Sequence, residues 1–177
     1  MQNEDLTAAT TPFKFRLHNR QGQDILYTRL PQQFMTLELR NTSMSPLMLA
    51  ESESDYHFLL RFRPGTLFEH EKIKLNEKDN VNWVLITPTA ASAGEAASGG
   101  PDDVILNLRY KGASTLPLDP GKRISISLQN IVADGRSGAH STRVELKYQK
   151  LVSEGNGKPL NGTCTHHLTV LDESPND

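Results

Sequence analysis

A chain of 177 residues with 36% apolar side chains, 23% charged residues and a formal net charge of −2 is sized for one globular domain or two small ones. No run approaches the roughly 20 apolar residues that span a bilayer, and the polar, acidic residues 1–11 lack the basic and apolar regions of a signal peptide. The expectation is therefore a cytoplasmic protein with no membrane span. A single cysteine, Cys164, cannot form an internal disulfide, and the near-neutral charge gives no electrostatic reason to bind nucleic acid.

The dominant signal along the chain is alternation with period two, the mark of a half-buried strand. Phe13, Phe15 and Leu17 alternate with polar residues, a polar loop follows, and Ile25 and Tyr27 begin a second strand. Met35, Leu37 and Leu39 form a third strand that stops at Asn41, Thr42 and Ser43, whose side chains favour local backbone bonds. From Tyr56, residues Phe58, Leu60 and Phe62 take one face. His57, Leu59, Arg61 and Arg63 take the other, before Pro64 and Gly65 make a turn.

Ile73 and Leu75 alternate with lysines in a segment where a short helical turn also fits. Val81, Trp83 and Leu85 alternate with Asn82, Val84 and Ile86, so the Trp83 strand is expected to be central and covered on both faces. Further strands are expected at 104–110, 123–128, 143–148 and 165–171. No segment holds a 3.6-residue pattern over three turns. About ten strands without helices to cover them must cover one another, which predicts an all-β fold, an antiparallel β-sandwich of immunoglobulin-like or jelly-roll-like type, with a closed barrel as the alternative.

Residues 89–103 interrupt the pattern with five alanines, three glycines and two serines. A segment with so little to anchor in a core is expected to be a mobile loop within one sandwich domain spanning 12–172, with an interdomain linker as the other reading. Residues 1–11 and 173–177 are expected to be flexible tails.

No phosphate loop, dinucleotide fingerprint, nucleophile elbow or HExxH motif occurs, which removes the common motif-bearing enzymes and implies no cofactor. Cys164 and His166 would share one face of a strand, at a spacing compatible with a common metal, while His167 would face away. No second cluster supplies the remaining ligands, so neither a metal nor a catalytic residue is assigned. Glu69, His70 and Glu71 read as a solvated acidic loop. Asn41-Thr-Ser43 and Asn161-Gly-Thr163 match the glycosylation pattern but are read as turns.

The best candidates for an interaction surface are Arg136, Ser137 and His140 in a loop of small and polar residues, and the cationic strand face with Arg61 and Arg63. That face would either meet an acidic partner or pair with carboxylates on the neighbouring strand.

The segments Leu37-Glu-Leu-Arg-Asn-Thr-Ser43 and Leu118-Asp-Pro-Gly-Lys-Arg-Ile-Ser-Ile-Ser127 resemble immunoglobulin-like bacterial domains, in which a Pro-Gly turn leads into an alternating strand. The cysteine, tryptophan and cysteine spacing of true immunoglobulin domains is missing. The sequence thus points to a non-catalytic interaction module, a structural or adaptor subunit of a larger bacterial assembly that binds a protein partner or itself. A carbohydrate-binding module and a metal-dependent module around Cys164 and His166 are the alternatives.

Overall fold

A computed structural model describes residues 12–50, 56–68, 70–86, 103–112, 116–154, 157 and 159–172. Thirteen strands run through it: β1 (Phe13–His18), β2 (Ile25–Tyr27), β3 (Gln33–Asn41), β4 (Leu47–Leu49), β5 (Phe58–Phe62), β6 (Leu67–Phe68), β7 (Lys74–Leu75), β8 (Trp83–Ile86), β9 (Val104–Tyr110), β10 (Leu116–Leu118), β11 (Arg123–Ala133), β12 (His140–Ser153) and β13 (Pro159–Leu171). The only helical pieces among the described residues are 3-10 turns, including His70–Lys72 and Asp79–Val81. None is long and apolar enough to cross a membrane. The expected tails, and residues 89–102 of the expected loop, lie outside the described residues.

The first sheet runs β1-β3-β11, with β6 and β7 on the far side of β11. The second runs β10-β4-β12-β5-β9-β8, and β13 pairs along the other side of β12. The pairing is antiparallel throughout except where β2 runs parallel to the end of β13. β1 and β2, close in sequence, therefore belong to opposite sheets. The fold is an antiparallel β-sandwich, as the alternation predicts.

Period-two patterning explains the layers. In β3, Gln33, Met35, Leu37, Leu39 and Asn41 are buried while the residues between them are more exposed. The inward faces of both sheets meet in one apolar cluster. A chain of aromatic rings crosses it: Phe13 of β1 packs edge-on against Phe58 and Tyr148 at centroid distances of 5.8 and 5.6 Å, and Trp83 links Phe58 to Tyr110 at 6.0 and 5.4 Å. Such pairs add about 1 kcal/mol each beyond the area they bury.

Trp83 corrects one expectation. Its strand is the outermost of the second sheet rather than central, and its apolar double face reflects Trp83 packing inward while Val84, Leu85 and Ile86 stay only half-buried. β8 and β9 on either side of residues 87–102 are hydrogen-bonded neighbours, from Trp83 opposite Tyr110 to Ile86 opposite Asn107.

The two resemblance-bearing segments lie side by side in the first sheet, Leu37 opposite Ile126 and Arg40 opposite Arg123. Asn41 ends β3 and is fully buried. Its Nδ2 donates to the carbonyls of Ser45 (2.9 Å) and Leu118 (2.8 Å), and its Oδ1 accepts from the backbone N–H and the hydroxyl of Ser43 (2.9 and 2.7 Å). The turn reading holds here. Asn161-Gly-Thr163 instead continues β13, where Gly162 lies opposite Tyr148. A Cβ at position 162 would sit 2.7 Å from the Tyr148 hydroxyl, so the glycine makes room for the tyrosine ring.

Candidate functional site: a cationic groove on the outer sheet face

Arg63 leaves β5 at a tight turn. Pro64 fixes the first central position, Gly65 adopts φ 83°, and the Thr66 N–H closes the turn on the Arg63 carbonyl at 3.2 Å. This points the exposed Arg63 toward the start of β12, where His140, Ser141, Thr142 and Arg143 line the same surface. β13 completes it, because the register sets His167 directly opposite Arg143.

The result is a depression of about 490 Å³ lined by Arg63, Pro64, the four β12 residues and His167, with no carboxylate in its wall. A second depression of about 440 Å³ shares Arg63, Pro64 and Arg143 and adds Arg61, Asp103, Glu145 and Thr165. Together they form one groove across the outer face of the second sheet.

The charges in the groove are unequally balanced. Arg61 lies 3.8 Å from Glu145, its register partner on β12, and 4.0 Å from Asp103, so both carboxylates are engaged by one guanidinium. Arg63 and Arg143 have no ion pair among the described residues. The groove therefore presents two uncommitted guanidinium groups and two imidazoles to solvent. An anion placed between them gains charge-assisted hydrogen bonds that water-exposed single arginines do not offer.

The sequence candidates divide accordingly. Arg61, Arg63 and His140 line this groove, and Arg143 and His167 join them. Arg136 does not. Its guanidinium is held by the buried Asp134 through Nε (2.9 Å) and Nη2 (2.7 Å) and lies over the Phe68 ring at 5.4 Å. The Arg136 hydrogen bonds hold the Asp134 carboxyl below its ordinary range, while the Asp134 side chain also caps the following 3-10 turn. Ser137 ends that turn, and its side chain lies outside the described residues.

The outward set on β5 is corrected in one respect. His57 and Leu59 are buried, at 0% and 1% exposure, rather than facing solvent. Leu59 is hemmed in by its cross-strand neighbours Lys147 and Asn107. His57 Nδ1 accepts the Tyr110 N–H at 3.0 Å and its Nε2 donates to the Ala50 carbonyl at 2.6 Å, so the ring joins three chain segments as a neutral imidazole. Burial pushes its pKa down.

Cys164 and His166 share the inner side of β13, as expected, and His167 faces away. Burial pushes the Cys164 thiol up to about 11, which leaves it protonated and a poor nucleophile near neutrality. His166 packs against the Phe15 ring at 5.6 Å, and its Nε2 is 3.7 Å from Asp24, beyond hydrogen-bond range. Among the described residues, no three His, Cys, Asp or Glu side chains converge in a way that would hold a metal. Glu69 and the His70 side chain lie outside the described residues.

No known protein family matches the chain, and no curated protein matches it significantly. Among solved structures it is similar to the GH20 exo β-N-acetylglucosaminidase from Vibrio harveyi, at 12% identity and TM-score 0.40, covering 93% of this chain and 18% of that one. The chain thus spans under a fifth of that enzyme. It is also similar to a PapD-like domain of human CEP192 (8% identity, TM-score 0.32, covering 93% and 88%). A third is the collagen-binding domain from a Staphylococcus aureus adhesin (8% identity, TM-score 0.35, covering 92% and 98%). Likenesses at this level say nothing of ligand or partner.

Proposed function

We propose that the chain is a non-catalytic interaction module, a structural or adaptor subunit of a larger assembly in a reducing compartment such as the cytoplasm. Its partner is a protein that docks an acidic segment into the groove between β5, β12 and β13. The observation that carries this reading is the pair Arg63 and Arg143, uncommitted among the described residues, beside His140 and His167 in a depression without a carboxylate. On a chain of net charge −2 such a patch is a local feature and not the overflow of a basic protein. Each guanidinium fork donates two hydrogen bonds to a carboxylate, and an extended acidic peptide places successive carboxylates within reach of both.

The test is an amide NMR titration of the full chain with a glutamate octapeptide, a lysine octapeptide and a single-stranded oligonucleotide. Saturable shifts at Arg63, His140, Arg143 and His167 with the acidic peptide alone support the reading. Tighter binding of the oligonucleotide, or no saturable shift in the groove, contradicts it.

A further inference from the structure

A separate pocket, of about 310 Å³, is built from the β1–β2 loop, Tyr27 and the residues that lead from it into β3, the start of β3, and the middle of β11. Its wall is dominated by carboxamides, with no carboxylate and one obligate cation, Arg20. Part of this wall is fixed by internal bonds. Gln33 is buried and mimics a strand partner for Tyr27, accepting the Tyr27 N–H at 2.9 Å and donating to the Tyr27 carbonyl at 2.8 Å. Asn19, also buried, accepts the backbone N–H groups of Gln21 (3.0 Å) and Gln23 (2.9 Å).

Other polar groups line the space. The Arg20 guanidinium carbon sits over the Phe34 ring, 4.3 Å from its centroid, and Arg20 has no ion pair or side-chain hydrogen bond among the described residues. The cation–π contact places the guanidinium while its exposed N–H groups remain available. On the opposite wall, β11 slips register between Leu128 and Ile131, and Asn130 takes φ 61°. This bulge turns Gln129 and Asn130 into the pocket. Gln32 closes the rim.

We propose that this pocket binds a carboxylate-bearing monosaccharide, a ring of the hexuronate class. The Arg20 fork meets the carboxylate. Gln32 and Gln129 offer paired donors and acceptors that match neighbouring hydroxyls, Asn130, whose Nδ2 donates to the Lys72 carbonyl at 3.2 Å, adds its Oδ1 as an acceptor, and a lining without acids disfavours amines and metal cations. The volume is at the lower end of small-ligand pockets, roughly 300 Å³, which suits one sugar ring.

Amide NMR titrations of the full chain with sodium glucuronate, glucose and sodium acetate test it. Glucuronate is expected to give saturable shifts at Arg20, Gln32, Gln129 and Asn130, with glucose and acetate at least tenfold weaker. R20Q is expected to bring glucuronate down to the level of glucose, and Q129A to weaken both sugars. Arg20 is exposed, so R20Q retains the fold. Absence of saturable shifts, equal binding of acetate and glucuronate, equal binding of glucose and glucuronate, or an R20Q variant that binds like the parent would each overturn the proposal.

Discussion

Arg143 and His167 stand directly opposite each other on the solvent face of the β12–β13 ladder, with no carboxylate in the depression they line. A guanidinium facing an imidazole with no carboxylate beside them makes no attractive cross-strand ion pair. A binding role for Arg143 therefore predicts opposite signs for stability and affinity. R143Q is expected to keep or slightly raise the urea midpoint while weakening capture of an acidic peptide at least threefold. Loss of stability with unchanged affinity would assign Arg143 a structural role instead.

His57 predicts a pH dependence. Its folded pKa is lowered, chiefly by burial, from an ordinary value of 6.5. A proton on Nδ1 would displace the Tyr110 N–H that this nitrogen accepts. The neutral ring's contribution is thus fully present above pH 6.5 and is lost as the pH falls from there through the lowered folded value. Urea midpoints between pH 5 and pH 8 should decline on the acid side for the parent. In H57L that part of the decline should vanish, at a cost near neutrality of about 3 kcal/mol for the stranded Tyr110 N–H and Ala50 carbonyl.

Asn41 uses its side chain to close the turn after β3 and to bind β10 through the Leu118 carbonyl. Asn41→Leu keeps the volume and strands these buried groups, so a loss of about 3 kcal/mol in chemical denaturation is expected. A loss under about 0.5 kcal/mol would show that the turn is held by backbone bonds alone.

Gly162 and Tyr148 should be coupled. Gly162→Ala drives a methyl group against the tyrosine ring and is expected to cost about 2 kcal/mol. Tyr148→Phe removes the hydroxyl that lies nearest, so the double variant should recover about 1 kcal/mol of that loss in a mutant cycle. Simple additivity would mean that the ring moves aside freely.

Cys164 should be quiet. A half-buried thiol pushed up to about 11 is expected to react with a disulfide reagent at pH 7.5 at least tenfold more slowly in the native chain than in urea. Equal rates would contradict its burial on the inner side of β13.

Where apolar and polar residues alternate over five residues or more, as in β3 and β11, the strands were legible because the period alone places the side chains. β4, β6 and β10 escaped because two or three residues cannot show a period, and Pro117 argues locally against a strand that exists only by pairing with Leu47–Leu49. His57 was misread for a related reason. Alternation says which side a residue takes, but not that the Ala50 carbonyl and Tyr110 N–H close around it. In the groove, Arg61, Arg63 and His140 were recognisable as cations in exposed patterns. Arg143 and His167 were not, because their partnership depends on the register of the β12–β13 ladder, which shifts between Tyr148 and Leu151. The Arg20 pocket was invisible because its two walls, residues 19–34 and 129–130, lie far apart in the sequence.

Arg63 and Arg143 are proposed to receive an acidic protein segment. Fluorescence anisotropy of a labelled glutamate octapeptide, at about 50 mM and about 300 mM salt, with the parent and with the R63E/R143E double variant, tests it most directly. Binding to the parent is expected to saturate and to weaken at the higher salt, with at least a tenfold loss in the double variant at an unchanged urea midpoint. Binding of equal strength to the parent and to the folded double variant would contradict it.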